Sequence, residues 1–305
     1  MTEFDTNNLQ KVQVFIEALP YVQKFHGKTI VVKYGGNAML NEELKNAVFA
    51  DVILMNLIGI RTVLVHGGGP DIEDYLRRLD IKSDFQSGLR ITDNAVMETV
   101  SMVLVGKVNQ NTISDINRLG GKAVGLSGKD GAMLKCVKKY AKISAGDEVK
   151  KVDIGMVGEV ESVDCTLINN LLAEKYIPVI APIGTDENGS TFNVNADSAA
   201  GKIAAALGAM KLFLLTDVEG LYRDFSDKGS LISKMSVDEV PALIETGTIK
   251  KGMLPKLESC VHAIEGGVEN VHIIDGRVPH SLLLELFTDS GIGTMLTGGE
   301  KHDGF

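Results

Sequence analysis

The chain has 305 residues, 44% hydrophobic and 23% charged, which excludes a disordered or collagen-like polymer and suffices for one large or two modest domains. A formal charge of −9, no dense Lys/Arg run beyond Lys150-Lys151 and Lys250-Lys251, and no Trp leave nucleic acid neither a basic face nor a stacking surface. No apolar stretch approaches the roughly 20 residues of a membrane span; the start MTEFDTNNLQ lacks an export signal, and the scattered Cys136, Cys165 and Cys260 suit a reducing cytoplasm.

Residues 8–25 come first. Leu9, Val12, Phe15, Ile16 and Leu19 fall near helical spacing, and Pro20 is expected to interrupt before Tyr21, Val22 and Phe25. Two readings stay open: a leading helix on its own core, or an arm that packs on another subunit. Runs at 29–32, 62–65, 123–126, 179–183, 212–215 and 271–274 are then apolar at consecutive positions, as strands covered on both faces are. Helical segments such as 41–60 and 196–207 alternate with them. The alternation predicts an α/β fold, a three-layer sandwich around a mainly parallel central sheet. Residues 133–164 break the rhythm, with short strands at 134–137 and 158–161 around a polar loop at 144–151. They predict a β-hairpin excursion on one edge of the first half. Turn formers from Gly184 to Gly189 divide the chain into an N-terminal helix at 1–27, a first lobe at 28–188 and a second at 189–305.

Two glycine loops follow successive strands: Lys33-Tyr34-Gly35-Gly36-Asn37-Ala38 and His66-Gly67-Gly68-Gly69-Pro70. Glycines there let backbone N–H groups converge on an anion at a helix N-terminus. Two such loops point to one crevice at the carboxyl edge of a parallel sheet. Other templates fail. Val22 stands where a Walker A loop needs glycine, Ile72 where a dinucleotide fingerprint needs its last, and the esterase-like His66–Gly69 string has no GxSxG elbow.

Lys33 ends the first strand, and Lys256 opens a helix after Gly252-Met253. Each alone reads equally as a solvated charge. Together they suit a phosphoryl transfer, which needs positive charge on the moving phosphate's oxygens. In Asn193-Val194-Asn195-Ala196-Asp197 both asparagines are helix-cap candidates, and Asp197 either favours the first turn or fixes the two lysines. Arg90, after the Gly88 turn, suits a bidentate carboxylate grip or an ordinary ion pair. The turn Thr216-Asp217-Val218-Glu219-Gly220 offers polar atoms to a purine or ribose. Six histidines show no ligand spacing, so no protein-held metal is expected.

In this order, Lys33-x-Gly35-Gly36, His66-Gly67-Gly68-Gly69-Pro70, Gly88-Leu89-Arg90, Asn193-Val194-Asn195-Ala196-Asp197, Thr216-Asp217-x-x-Gly220 and Gly252-Met253-x-x-Lys256 resemble the amino-acid kinase family over about residues 9–297. The second, third and fourth motifs are most similar to its branch acting on N-acetyl-L-glutamate. The resemblance implies ATP-dependent phosphorylation of that compound's side-chain carboxylate in arginine biosynthesis. It implies Lys33 and Lys256 as stabilisers of the transferring group, with Asp197 orienting both. Gly36, Gly68, Gly69, Arg90 and Asn193 would bind the acceptor. Gly35, Thr216, Asp217, Gly220, Gly252 and Met253 would bind the nucleotide, and Mg²⁺ would ride mainly on the phosphates. The lobe at 28–188 would thus hold acetylglutamate and that at 189–305 ATP. It further implies an arginine site at Tyr21, His272, Glu285 and Gly291, with Asp275 where Asn is frequent. The assembly implied is a hexamer, a trimer of dimers joined through the N-terminal helix; binding of the nitrogen-signalling PII protein stays open. So do a carbamate, aspartate or glutamate kinase and a non-catalytic ligand sensor on the same fold.

Overall fold

Each of the six apolar runs forms a strand. The computed structural model describes residues 3–145, 148–245, 247, 249 and 253–299. It begins with α1 (Glu3–Phe25), β1 (Thr29–Tyr34), α2 (Glu42–Leu57), β2 (Arg61–His66) and α3 (Gly69–Arg78). A small hairpin, β3 (Phe85–Gln86) and β4 (Leu89–Arg90), precedes a long helical run: α4 (Asn94–Ser101), a π-helical stretch (Met102–Asn109) and α5 (Gln110–Arg118). Then come β5 (Ala123–Ser127), β6 (Leu134–Ala145), β7 (Glu148–Val163), α6 (Thr166–Ala173), β8 (Ile177–Ala181), β9 (Ile183–Thr185) and β10 (Thr191–Val194). The remainder is α7 (Ala196–Ala206), β11 (Lys211–Thr216), β12 (Lys234–Ser236), α8 (Val240–Glu245), α9 (Leu254–Glu265), β13 (Asn270–Asp275), α10 (Ser281–Leu286) and β14 (Thr294–Thr297).

Eight strands form one sheet in the order β12-β14-β13-β11-β1-β2-β8-β5. Pairing is parallel from β13 across to β5, and β14 runs antiparallel to β13. The consecutive apolar residues of β1 serve two layers at once. Ile30 and Val32 pack with Phe49 and Val52 of α2, while Val31 packs with Ile203 of α7 and Cys260 of α9. The expected three-layer sandwich is therefore present. Helix starts follow local chemistry: Asn41 accepts from the N–H groups of Glu43 and Leu44 to open α2, so that residue is a cap and not the first turn.

The sequence reading differs from the structure in three places. Helix α1 runs through Pro20 without ending. Proline removes the bond to the Ile16 carbonyl, but Ile16 lies on an exposed stretch of the helix, where an unpaired carbonyl costs little. The polar loop at 144–151 is mostly strand, since β6 reaches Ala145 and β7 starts at Glu148; Lys150 and Lys151 are exposed and need no burial. Residues 146–147 lie outside the described residues. Lastly, Ile183 does not extend the run at 179–183. Past Pro182 the chain enters β9, which with β10 closes β6 and β7 into a small barrel. Register shifts at Lys135/Cys136 and Lys138/Tyr140 bend the hairpin for that closure.

Candidate active site

Because β11, β1 and β2 are parallel neighbours, their carboxyl ends share one edge of the sheet. Both glycine loops and the Thr216 turn start there. The loops touch: the Gly67 N–H donates to the Tyr34 carbonyl at 2.7 Å. Gly36 has φ +70, and a Cβ on it would lie 2.7 Å from an Asp217 oxygen. Only glycine combines that conformation with so close an approach.

Asp197 lies between the two predicted lysines. Lys33 Nζ is 3.0 Å from Oδ1, and Lys256 Nζ donates to Oδ2 at 2.8 Å. The two lysines thus take one carboxylate oxygen each. Burial by itself would raise the Asp197 pKa; the two ammonium charges outweigh it and hold the carboxyl at about 2. Two cations around one anion leave a surplus positive charge. Lys256 is the more exposed lysine, with 25% of its side chain accessible against 9% for Lys33.

Helix α7 supplies Asp197, and its cap settles an ambiguity of the sequence. Asn195 accepts from the N–H groups of Asp197 and Ser198, both at 3.0 Å. Asn193 is thereby free for other work and donates to Thr92 Oγ1 at 3.3 Å. Thr92 in turn donates to the Arg90 carbonyl at 2.9 Å, so the structure joins Asn193 and Arg90 through one buried threonine. Ser87 and Gly88 both have positive φ, the requirement of a two-residue hairpin turn, and this turn aims Arg90 inward. Its guanidinium lies 4.6 Å over Phe85, donates to Ser83 Oγ at 2.8 Å and pairs with Glu73 at 2.7 Å. Gly68 and Gly69 stand at the N-terminus of α3.

Beside Lys256 opens a cavity of about 240 Å³, lined by the expected Thr216, Asp217, Gly220 and Met253. Tyr222 and Phe225, rings 5.7 Å apart, also line it and were not foreseen. An aromatic pair after a Gly-Leu turn was the available signal. Gly252 lies outside the described residues, while Gly35 packs against Lys33, whose Nζ would be 2.8 Å from a Cβ there.

Three of the four residues of the implied arginine site, His272, Glu285 and Gly291, come together. His272 Nδ1–H donates to Glu285 Oε1 at 2.7 Å, and the other Glu285 oxygen accepts from Ile292 N and Gly293 N. Gly291, φ +60, lies against the same carboxylate. Tyr21 donates to Asp289 at 2.6 Å and packs its ring 5.9 Å from Phe287. Lys211, missed from sequence, donates to His272 Nε2 at 2.7 Å. Burial lowers the His272 pKa against the pull of Glu285, and burial also lowers Lys211 to about 8.

The amino acid kinase family profile matches residues 28–275. Acetylglutamate kinase of Pelotomaculum thermopropionicum is 55% identical over 94% of this chain and 98% of its own length. That of Heliobacterium modesticaldum is 56% identical over the same shares. Among solved structures, N-acetylglutamate synthase from Neisseria gonorrhoeae with coenzyme A and N-acetyl-glutamate superposes with TM-score 0.80 at 29% identity. It aligns with 94% of this chain, which spans only 63% of that protein. The same synthase with coenzyme A and L-arginine gives TM-score 0.77 at 27% identity, over 94% and 65% of the two chains. Carbamate kinase from Giardia lamblia with AMP-PNP shares the fold at TM-score 0.63 and 17% identity, over 90% and 99%. With the sheet order, the facing glycine loops and this match over most of its length, the chain belongs to the amino acid kinase family.

Proposed function

We propose that the chain transfers the γ-phosphoryl group of ATP to the side-chain carboxylate of N-acetyl-L-glutamate, giving N-acetyl-L-glutamyl 5-phosphate for arginine biosynthesis. The observation that carries the reading is Asp197 held between Lys33 and Lys256 where the glycine loops meet the cavity at Thr216; the relatives named acetylglutamate kinase select the acceptor. A carboxylate oxygen attacks the γ-phosphorus and the bond to ADP breaks. No base is needed, since the nucleophile is ionised at neutral pH. The surplus charge of the lysine pair meets the charge developing on the phosphoryl oxygens. Gly35, Thr216, Asp217, Gly220, Gly252 and Met253 hold the nucleotide, and Mg²⁺ arrives with ATP on its phosphates. Gly36, Gly68, Gly69, Arg90 and Asn193 hold the acceptor. Comparing ADP release with N-acetylglutamate, glutamate, aspartate and carbamate tests this: kcat/KM is expected to be highest for N-acetylglutamate, and a preference for carbamate overturns the assignment.

The division at 28–188 and 189–305 is supported by Gly68, Gly69 and Arg90 preceding it and the cavity residues following it; Asn193 reaches across. Arginine regulates at Tyr21, His272, Glu285 and Gly291, in line with the neighbour solved with L-arginine. Leu9, Val12, Val14, Phe15, Ile16 and Leu19 of α1 are exposed on the single chain, which favours the arm over the self-packed helix. Burial between subunits yields a hexamer built as a trimer of dimers. Deleting residues 1–25 is expected to give active dimers that respond poorly to arginine; a hexamer with unaltered inhibition would show that the arm is dispensable. The setting is the cytoplasm, with Cys136 and Cys260 buried as free thiols. No helix among the described residues is long and apolar enough to cross a membrane.

A further inference from the structure

One part of the second glycine loop has no role in that scheme. His66, the last residue of β2, is fully buried and has 0% exposure. Its Nδ1 lies 2.7 Å from the carbonyl oxygen of Gly67, and its Nε2 lies 3.1 Å from Asn109 Nδ2. An amide nitrogen only donates, so Nε2 accepts and the proton sits on Nδ1, where it is donated to Gly67. Burial lowers the His66 pKa to about 4, which keeps this neutral tautomer at working pH.

Asn109 is itself over-determined. Its Nδ2 also donates to the Val179 carbonyl at 2.9 Å. Its Oδ1 occupies the space above Gly125, 2.0 Å from where a Cβ would stand. Asn109 closes the π-helical stretch, whose Leu104 lies 2.4 Å from where a Cβ on Gly68 would be. An irregular helical stretch of the kind often found at functional sites thus backs the loop at two points.

The consequence follows from the planarity of the peptide. In a trans peptide the carbonyl of one residue and the N–H of the next point in opposite directions, and no peptide here is cis. A Gly67 carbonyl turned toward His66 fixes the Gly68 N–H pointing away from that ring. No hydrogen bond within the described residues takes that N–H. We propose that His66, clamped by Asn109, is a positioning residue that sets the Gly67–Gly68 peptide so that the Gly68 N–H faces the acceptor. This rests on the assignment of N-acetylglutamate as acceptor and adds the device that pre-orients its donor.

The test separates donor from bulk. His66→Asn keeps an N–H near the Nδ1 position, His66→Gln moves it to the Nε2 position, and His66→Leu removes it at similar volume. In the full chain, His66→Leu is expected to lower kcat/KM for N-acetylglutamate at least about tenfold, short of the on the order of 10²–10³ for losing a donor outright. KM for ATP is expected to stay within about twofold, and His66→Asn within about threefold of the unmodified chain on both measures. An active His66→Leu at the unmodified level overturns the inference. So does a loss shared equally by Leu and Asn and by both substrates, which marks ordinary packing. Should His66→Leu not fold, His66→Asn must exceed His66→Gln in acceptor kcat/KM; equality or the reverse order overturns it. An unmodified chain inert toward N-acetylglutamate refutes the acceptor assignment and this inference together, whereas an active one with an indifferent His66→Leu refutes the inference alone.

Discussion

Two buried charge clusters grow from neighbouring strands at opposite edges of the same sheet. Lys33 stands near the carboxyl end of β1, and Lys211 is the first residue of β11. Around Lys33 there are two cations and one anion, with one positive charge in surplus. Around Lys211 there are one cation, one anion and an imidazole kept neutral by burial, and both Glu285 oxygens are engaged. The first cluster is unfinished until an anion arrives. The second is complete, so a ligand there must replace bonds already made. A reaction centre benefits from the former; a regulatory site that responds only to a well-matched ligand benefits from the latter.

This contrast breaks first at the lysines. Lys33→Ala and Lys256→Ala should each lower turnover by on the order of 10²–10³ or more while the circular dichroism spectrum is kept; near-normal turnover in a folded Lys33→Ala protein would end the proposed mechanism. Asp197→Ala should come next. It leaves Lys33 buried and unpaired, so urea unfolding should show a loss of about 3–5 kcal/mol, along with depressed turnover. Glu285→Gln should shift the arginine concentration for half-inhibition at least about tenfold and reduce turnover far less than either lysine change. An unchanged arginine titration would remove the second cluster from regulation.

The remaining effects are in pH, and they share a sign: both groups titrate below their ordinary values, so stability rises with pH through each window. Asp197 titrates at about 2 in the fold against 3.8 ordinarily, so its contribution is present above pH 3.8. About 2 kcal/mol should be lost as pH falls from there toward 2. Lys211 titrates at about 8 against 10.5, so the native state sheds its proton first. Stability should therefore rise between pH 8 and 10.5 by up to about 3 kcal/mol. Thermal melts of the unmodified chain beside Asp197→Asn and Lys211→Met check both; a Lys211→Met difference that stays constant with pH would show that the buried ammonium carries no such cost.

What could be read in advance was local. Consecutive apolar runs marked the inner strands because burial on both faces leaves no alternation, and the glycine loops marked the carboxyl edge because turns there need close approach. What escaped depends on partners distant in sequence. Strands β9 and β10 have three and four residues and exist only because β6 and β7 curl round to them. Glu73 on Arg90, Asn109 on His66 and Lys211 on His272 are likewise pairs that no window of residues contains. Asn193 and Asn195 were indistinguishable as caps until α7 had a first turn to be capped.

The sheet order also imposes a timetable. Strand β1 pairs with β2 soon after it leaves the ribosome, but its other neighbour, β11, begins only at Lys211. At roughly 5–20 residues per second, that edge of the nascent sheet stays open for roughly ten to thirty-five seconds. Throughout that interval an apolar strand with unpaired backbone groups is an aggregation template. A fragment stopped at residue 188 would hold this exposed edge permanently, and a chaperone that shields strands during synthesis would gain most from covering Thr29–Tyr34.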